Sequence, residues 1–573
     1  MQKRPVTDDS VVKADVLVIG AGIAGIFAAI EANDLGADVT LITKGLLGQD
    51  GAATWMAGYG LQAALYPPDS PEIHAQDTIK AGRFLNDQEL VYTLTKEIPA
   101  LVRKLNRWGV RYRKENGKFV MWRLPGETYP RVPALARAGQ YAGHEYRRVL
   151  TKEIRRRNIK VLEDIAIVDL LQSDGSVVGA VGLDIRQGSL NVFKAKSTIL
   201  ATGGHMGCYR VTTSPCATGD GSAMAYRAGA EIADMEFADF YAYTAIWPPI
   251  TVGEIWPTAF RYELNGILYN GVGDDFMRRY TGAKNVPPMA IQREVQEGRG
   301  SAHGGAYLSI RHLPANLIRN FLDQVGGVKW LERLEAVGFD IYNDAVEVAP
   351  AGLCSFGGCN INLKCETNIH GLYAAGEIAA RREGAYTTAG NSIPLCMALG
   401  CIAGRETARR ASEIEIPRID EEQVDELYRN MLVPMEREEG LSPIQVKQAI
   451  QDILGEYAGL VGRTKERLEK GLSEIERLRQ EDLTRLSVSA KNKKFNLEWA
   501  GAITVRNMTD ITELIIRAAL TRTESRGLHF REDFPEEHPE WLKRIIMVKR
   551  GEKVITTIEP VTFPYMKPPA TGS

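Results

Sequence analysis

The chain has 573 residues, of which 44% are aliphatic, aromatic or cysteine and 25% are charged. Seventy basic residues against 72 acidic ones leave a formal charge of −2, which argues against both a polybasic nucleic-acid binder and an acidic disordered chain. At about 150 residues per domain, the length predicts about three or four domains.

The opening MQKRPVTDDS is polar and lacks the apolar stretch of a secretory signal. Residues 15–20 read as a buried strand, 23–35 as a helix and 39–43 as a second strand. The longest near-apolar run, 16–30, holds three glycines and is too short to span a bilayer. Helical patterns follow over 89–108 and 144–157. Residues 161–200 then read as strands with turns at Asp174-Gly175 and Gln187-Gly188. From 237 to 345 tryptophans and clustered prolines mark mixed short elements, which suggests an inserted domain. Strand–turn–helix character returns at 371–404, and from 413 the pattern is helical and charged. Ser442-Pro443 is an N-cap followed by a first-turn proline, after which Ile450, Ile453, Leu454, Tyr457 and Val461 recur at helical spacing. Beyond 530 the chain is proline-rich and is expected to be extended.

The cysteines, at 208, 216, 354, 359, 365, 396 and 401, are odd in number and form no Cys-x-x-Cys pair. That argues against a disulfide framework and against an iron–sulfur cluster held by this chain alone, and it predicts a reducing, cytoplasmic setting.

Gly20-Ala21-Gly22-Ile23-Ala24-Gly25 sits between the first strand and the first helix. In this context the glycines permit a tight turn, close approach to a pyrophosphate and close helix–sheet packing, and the helix N-terminus favours the anion. The acidic residue usual at the end of the second strand is replaced by Thr43-Lys44, whose hydroxyl still offers one contact to a ribose.

The order VIGAGIAG, GQDGAATWMAGYG, ATGG, TGDG, GLYAAGEIA and GNSIPLCMALG resembles the flavoprotein subunits of the succinate dehydrogenase and fumarate reductase superfamily. That superfamily also contains L-aspartate oxidase and the adenylylsulfate reductase alpha subunit. ESRGLHFREDFP is similar to its C-terminal signature, so the resemblance spans roughly residues 12–545. It implies an α/β fold: a Rossmann-like FAD-binding domain in two parts (12–236 and 346–412), an inserted α+β capping domain (237–345), a C-terminal helical domain (413–530) and an extended tail (531–573). It also implies FAD, with Gly20, Gly22 and Gly25 at the pyrophosphate and Thr43, Lys44, Gly51, Ala52, Ala53, Gly58, Ala201, Thr202 and Gly203 around the cofactor. Asp220 is expected near the adenosine half, and Gly376 and Glu377 at a ribose or ribitol hydroxyl. Asn391, Ser392 and Ile393 are expected at the flavin N1–O2 edge. Where membrane-bound relatives carry the histidine that links FAD covalently, this chain has Ala53, so a non-covalent flavin is expected.

The substrate positions depart from the family. The histidine after Asp-Met-Glu-Phe becomes Tyr241, the relay glutamate Thr258, and the proton-delivering arginine Pro288. The next histidine becomes Leu353, and the carboxylate-clamping arginine becomes Thr387. Two carboxylates cannot be held dry without opposing charge or several donors, so a C4 dicarboxylate is not the expected substrate. Tyr241, Tyr243, Trp247, Trp256, Phe260, Tyr262, Leu353 and Tyr386 suggest a bulkier, less charged one, although each also suits a cap-domain core. Arg261, Glu263 and Tyr241 are the polar residues expected near the flavin, with Arg261–Glu263 either a proton relay or a structural ion pair. The resemblance implies an FAD-dependent oxidoreductase that takes a small-molecule substrate, paired with a separate iron–sulfur protein and without nucleic acid or a membrane span of its own. An adenylylsulfate-reductase-like enzyme and a flavin electron-transfer subunit without its own substrate are the alternatives. The stretch Lys491, Lys493, Lys494 is either a partner contact or a solvated charge run.

Overall fold

The computed structural model describes residues 11–49, 51–56, 60–136, 142–255, 257–280, 286–325 and 328–569. Its largest sheet runs in the order Lys160–Leu162, Val39–Ile42, Val11–Ile19, Ser189–Leu200, Ser176–Asp184, Ile165–Ser173. The first four strands are parallel, and Leu372–Ala374 adds a fifth parallel strand against the end of Ser189–Leu200. The other two are antiparallel, and the turns fall where Asp174-Gly175 and Gln187-Gly188 predict them. Val16, Leu17, Val18 and Ile19 are buried, as a central parallel strand covered on both faces requires.

The helix Ile23–Asp34 follows the first strand, and the helix Ser392–Glu413 lies along it. That approach is close because of Gly400 and Gly404: a methyl group on either would come within 2.3 Å of the Ala24 carbonyl oxygen or 2.4 Å of that of Ala28.

Residues 238–355 contribute a separate antiparallel sheet ordered Ala238–Trp247, Val346–Ser355, Ala306–Ser309, Ile267–Tyr269. Tyr243, Phe260, Phe276, Ile291, Trp330 and Val346 form its own apolar core. Beyond it, the helices Pro443–Tyr457, Lys465–Arg477 and Leu497–Thr521 pack together. Ser442 caps the first of them through a reciprocal pair with Gln445. Glu236, at the entry to the cap, binds Arg522 at 2.7 Å and accepts from Arg463 through its carbonyl, tying the helical region to the cap's base.

The expectation of a merely extended tail needs correction. Lys543–Arg550 and Lys553–Pro560 form a β-hairpin that pairs with Ile232–Ala233, because the run Ile545, Ile546, Met547 supplies apolar residues that the strand buries. No helix among the described residues is long and apolar enough to cross a membrane.

Candidate functional site

The parallel strands Val11–Ile19, Val39–Ile42, Ser189–Leu200 and Leu372–Ala374 end side by side, as the Ile19↔Ile42, Ile19↔Leu200 and Leu200↔Ala374 registers show. The next residues of each strand, Gly20, Thr43, Ala201 and Ala375-Gly376, line a cavity of about 370 Å³. Ligands of such sheets bind outside the carboxyl ends of the strands, so this is where a dinucleotide belongs.

Three glycines shape the first turn in different ways. Gly20 has φ +110°, and a side chain there would meet the Ala201 carbonyl oxygen at 2.3 Å. A methyl group on Gly25 would lie 1.8 Å from the Gly20 carbonyl oxygen, so this glycine sets helix–strand packing rather than touching the cavity. Gly22 differs: a methyl there would have Gly51 Cα at 3.9 Å as its near neighbour and would project into open space. Gly22 is also the N-cap of Ile23–Asp34 and offers no capping side chain, so the first-turn N–H groups are left for a ligand. An uncapped helix start, a glycine facing free volume and a cavity of this size together fit the pyrophosphate of FAD.

At the cavity's other wall the Lys44 ammonium binds Asp220 at 2.7 Å, and Asn507 donates to the same carboxylate at 2.8 Å. Burial raises the Asp220 carboxyl, but Lys44, Asn507 and Thr218 outweigh it and hold it below the ordinary range. Glu377 is held the opposite way. Burial pushes its carboxyl up despite the Ser355 N–H at 2.9 Å and hydroxyl at 3.2 Å.

Thr43, Lys44, Gly51, Ala52, Ala53, Ala201, Thr202, Gly203, Asp220, Gly376 and Glu377 all line the cavity, together with Gly20 and Gly22. Asn391, Ser392 and Ile393 are not on its lining. The Asn391 side chain bonds His74 at 2.7 Å and Thr78 at 3.1 Å, and Ser392 donates to Glu383, so both side chains tie the helix start to neighbouring segments rather than cap it. Gly58 lies outside the described residues. Sequence reading missed Asp164 to Ile167, Leu497 and Ile503, which reach the cavity from distant segments without any local motif.

A second cavity lies across a thin wall. Ser355 holds Glu377 on the first cavity, while its neighbour Cys354 meets Asp239 at 3.9 Å on the second. Asp239, Phe240, Pro288, Met289, Tyr386 and Phe530 line this second space, with Leu460, Gly527 and Leu528 closing it. Pro288 thus lies on a cavity wall between the cap helix Val286–Gln296 and the C-terminal segment, where it can neither donate nor carry a proton.

The expected polar trio is not on that lining. Arg261 donates to the Gly266 carbonyl at 2.9 Å and Glu263 is exposed, with no ion pair between them among the described residues. Tyr241 stands on the cap strand opposite Ala351. Most of the expected aromatics serve elsewhere. Tyr243 and Phe260 are cap core, and Trp247 stacks on His303 at 4.2 Å; Trp256 lies outside the described residues. Of the expected aromatics Tyr386 lines the second cavity; Phe240, three residues past Asp-Met-Glu-Phe, and Phe530, within the C-terminal signature, join it.

The family described as "FAD binding domain" matches residues 15–393, and the one described as "Fumarate reductase flavoprotein C-term" matches 447–572. One subunit of the fumarate reductase (CoM/CoB) of Methanothermobacter marburgensis is 35% identical, covering 94% of this chain and 98% of that one. Mycobacterium smegmatis Sdh1 superposes with a TM-score of 0.88 at 30% identity, covering 97% and 96% of the two chains. Adenylylsulfate reductase from Archaeoglobus fulgidus, at 22% identity and a TM-score of 0.73 over 97% and 96%, shares the fold. With a nucleotide cradle at the strand ends and both family regions in place, the chain belongs to the fumarate reductase and succinate dehydrogenase flavoproteins, which are FAD-dependent oxidoreductases.

Proposed function

We propose that this chain is the substrate-bearing flavoprotein component of a larger redox complex and acts on an organic molecule other than a C4 dicarboxylate. Bound FAD supplies two-electron chemistry; Gly20, Gly22 and the first turn of Ile23–Asp34 hold its pyrophosphate, with Thr43 and Glu377 within the same cavity. The observation that carries the substrate reading is the lining of the second cavity. Among the described residues it holds one carboxylate, Asp239, and no Lys, Arg or His. A dicarboxylate placed there meets repulsion instead of a clamp, and no proton carrier replaces the missing arginine.

In this reading the electrons pass on to another protein; among the described residues no group of three or more His, Cys, Asp or Glu could hold a metal. An iron–sulfur protein is the partner class this reading requires.

The test is a viologen-coupled fumarate assay on FAD-loaded protein. The reading expects no turnover above that of free flavin. Turnover in the ordinary enzyme range, about 1–10³ per second, overturns it and makes the chain a fumarate reductase like its Methanothermobacter relative.

A further inference from the structure

Asp239 is 4% exposed, yet the one hydrogen bond its side chain accepts among the described residues is from the Cys354 thiol at 3.9 Å. A carboxylate offers about four acceptor sites, and burying one without donors or a counter-charge is costly. Several other buried carboxylates among the described residues have a cation beside them. Asp69 has Arg131, Glu236 has Arg522, and Asp220 has Lys44 and Asn507. Asp239 has none of these, and it lines a cavity.

The rest of that lining is apolar or aromatic: Phe240, Pro288, Met289, Leu460, Leu528 and the rings of Tyr386 and Phe530. Phe240 is held edge-on against Tyr209, with ring centres 4.9 Å apart. Arg293, the guanidinium on the adjoining helix, lies over the Phe530 ring at 5.7 Å and has no ion pair with Asp239. The free volume, about 10 Å³, is that of one water molecule, so a ligand enters only when the cap helix or the two rings move.

Resting on the reading that this cavity receives the substrate, we infer that Asp239 is its specificity residue and accepts a hydrogen bond from an amide, amine or hydroxyl of a flat, mainly apolar substrate. Such a donor satisfies the carboxylate, while the Phe240, Tyr386 and Phe530 rings cover the apolar remainder. A carboxylate at the same end of the ligand is repelled.

The experiment titrates FAD-loaded protein with cinnamamide and with cinnamate, an amide and an acid of the same shape, and reads the flavin difference spectrum. The amide is expected to bind at least about tenfold tighter than the acid, a gap of about 1.4 kcal/mol. Asp239→Asn, which can donate as well as accept, is expected to erase or reverse that preference, and Asp239→Leu to weaken the amide and narrow its lead over the acid. Because it removes a charge from a site with no facing cation, Asp239→Asn is also expected to raise the melting temperature of the holoprotein.

Equal binding of amide and acid, or a preference unchanged by Asp239→Asn, overturns the donor reading while leaving the cavity as the substrate site. Silence from both probes overturns the site reading as well, whatever the melting temperature does. A lowered melting temperature with loss of flavin makes Asp239 a structural residue and removes it from recognition.

Discussion

Lys44 and Asp220 are 176 positions apart in the chain and meet at 2.7 Å on the wall of the nucleotide cavity. Lys44 follows the second parallel strand and Asp220 opens the helix Asp220–Arg227, so their pair joins two segments across the site. Lys44→Met leaves the carboxylate with Asn507 and Thr218 alone. It is expected to destabilise the protein by about 1–2 kcal/mol, since the pair is partly exposed. The double variant with Asp220→Asn should recover part of that loss, and a thermal-unfolding double-mutant cycle checks it. Additive losses would show that the pair contributes nothing.

Gly22 provides a cleaner test of the cofactor cradle than its neighbours. Side chains at Gly20 or Gly25 collide with backbone at 2.3 Å and 1.8 Å, so those variants fail by misfolding. At Gly22 the added atoms enter free space beside Gly51 Cα at 3.9 Å. Gly22→Val is therefore expected to give folded protein without flavin. The check is normal circular dichroism together with loss of the flavin absorbance band, and a normal flavin content would remove Gly22 from the site.

Ala53 lines the cavity with a methyl group that offers no nucleophile, and a non-covalent flavin is expected. Acid precipitation is expected to leave the yellow colour in the supernatant. Colour that stays with the pellet contradicts it.

The nucleotide half was legible in the sequence because local rules suffice there. Residues 16–25 must form a strand, a tight turn and an apolar helix, and they do. The second cavity was less legible. The replacements at Pro288 and Tyr386 could be read off, but Asp239 drew no attention until the structure showed it buried without a cation. Arg261 shows the other limit: a charged residue matching a family motif also holds a local turn through the Gly266 carbonyl, which its type alone does not reveal. Motif alignment gives the residue type at a position, while burial and partners, set by distant segments such as Phe530, decide what it does.

Buried histidines set the acid sensitivity. Burial, with Arg131 adding to it, holds His74 down to about 4, and burial alone does the same to His205. Neither ring nitrogen of His205 has a hydrogen-bond partner. A folded-state value below the unfolded value near 6.5 means the folded state binds fewer protons. The stability these neutral rings contribute is full above about pH 6.5 and is lost as pH falls towards 4, by up to about 3 kcal/mol for each. Denaturant titrations at pH 7 and pH 5 should therefore differ, and His205→Gln should flatten the difference by its share. Glu127 and Glu236, pushed up to about 7 by burial, act in the opposite sense over this window, so the check is the comparison with His205→Gln: a pH dependence unchanged in that variant would contradict the assignment.

Pro288→Arg puts an arginine back where the family pattern expects one. Pro288 lies near the start of its helix, a position where a proline costs little and an arginine is also tolerated. An arginine there points a cation into the cavity that also holds Asp239. The two are expected to pair, so that Pro288→Arg consumes the free carboxylate and leaves no cation for a substrate. The clamp positions also remain Thr387 and Leu353, and the relay position remains Thr258, which is buried with its hydroxyl unpartnered. Pro288→Arg alone is therefore expected to give no fumarate turnover and to abolish the amide-over-acid preference in flavin difference spectra. Adding Asp239→Gln frees the arginine and should favour acids over amides, by about tenfold if one charge-assisted bond is gained. Fumarate reduction by the single variant would mean that one proton carrier was all the site lacked, and that Asp239 does not control which charge the cavity accepts.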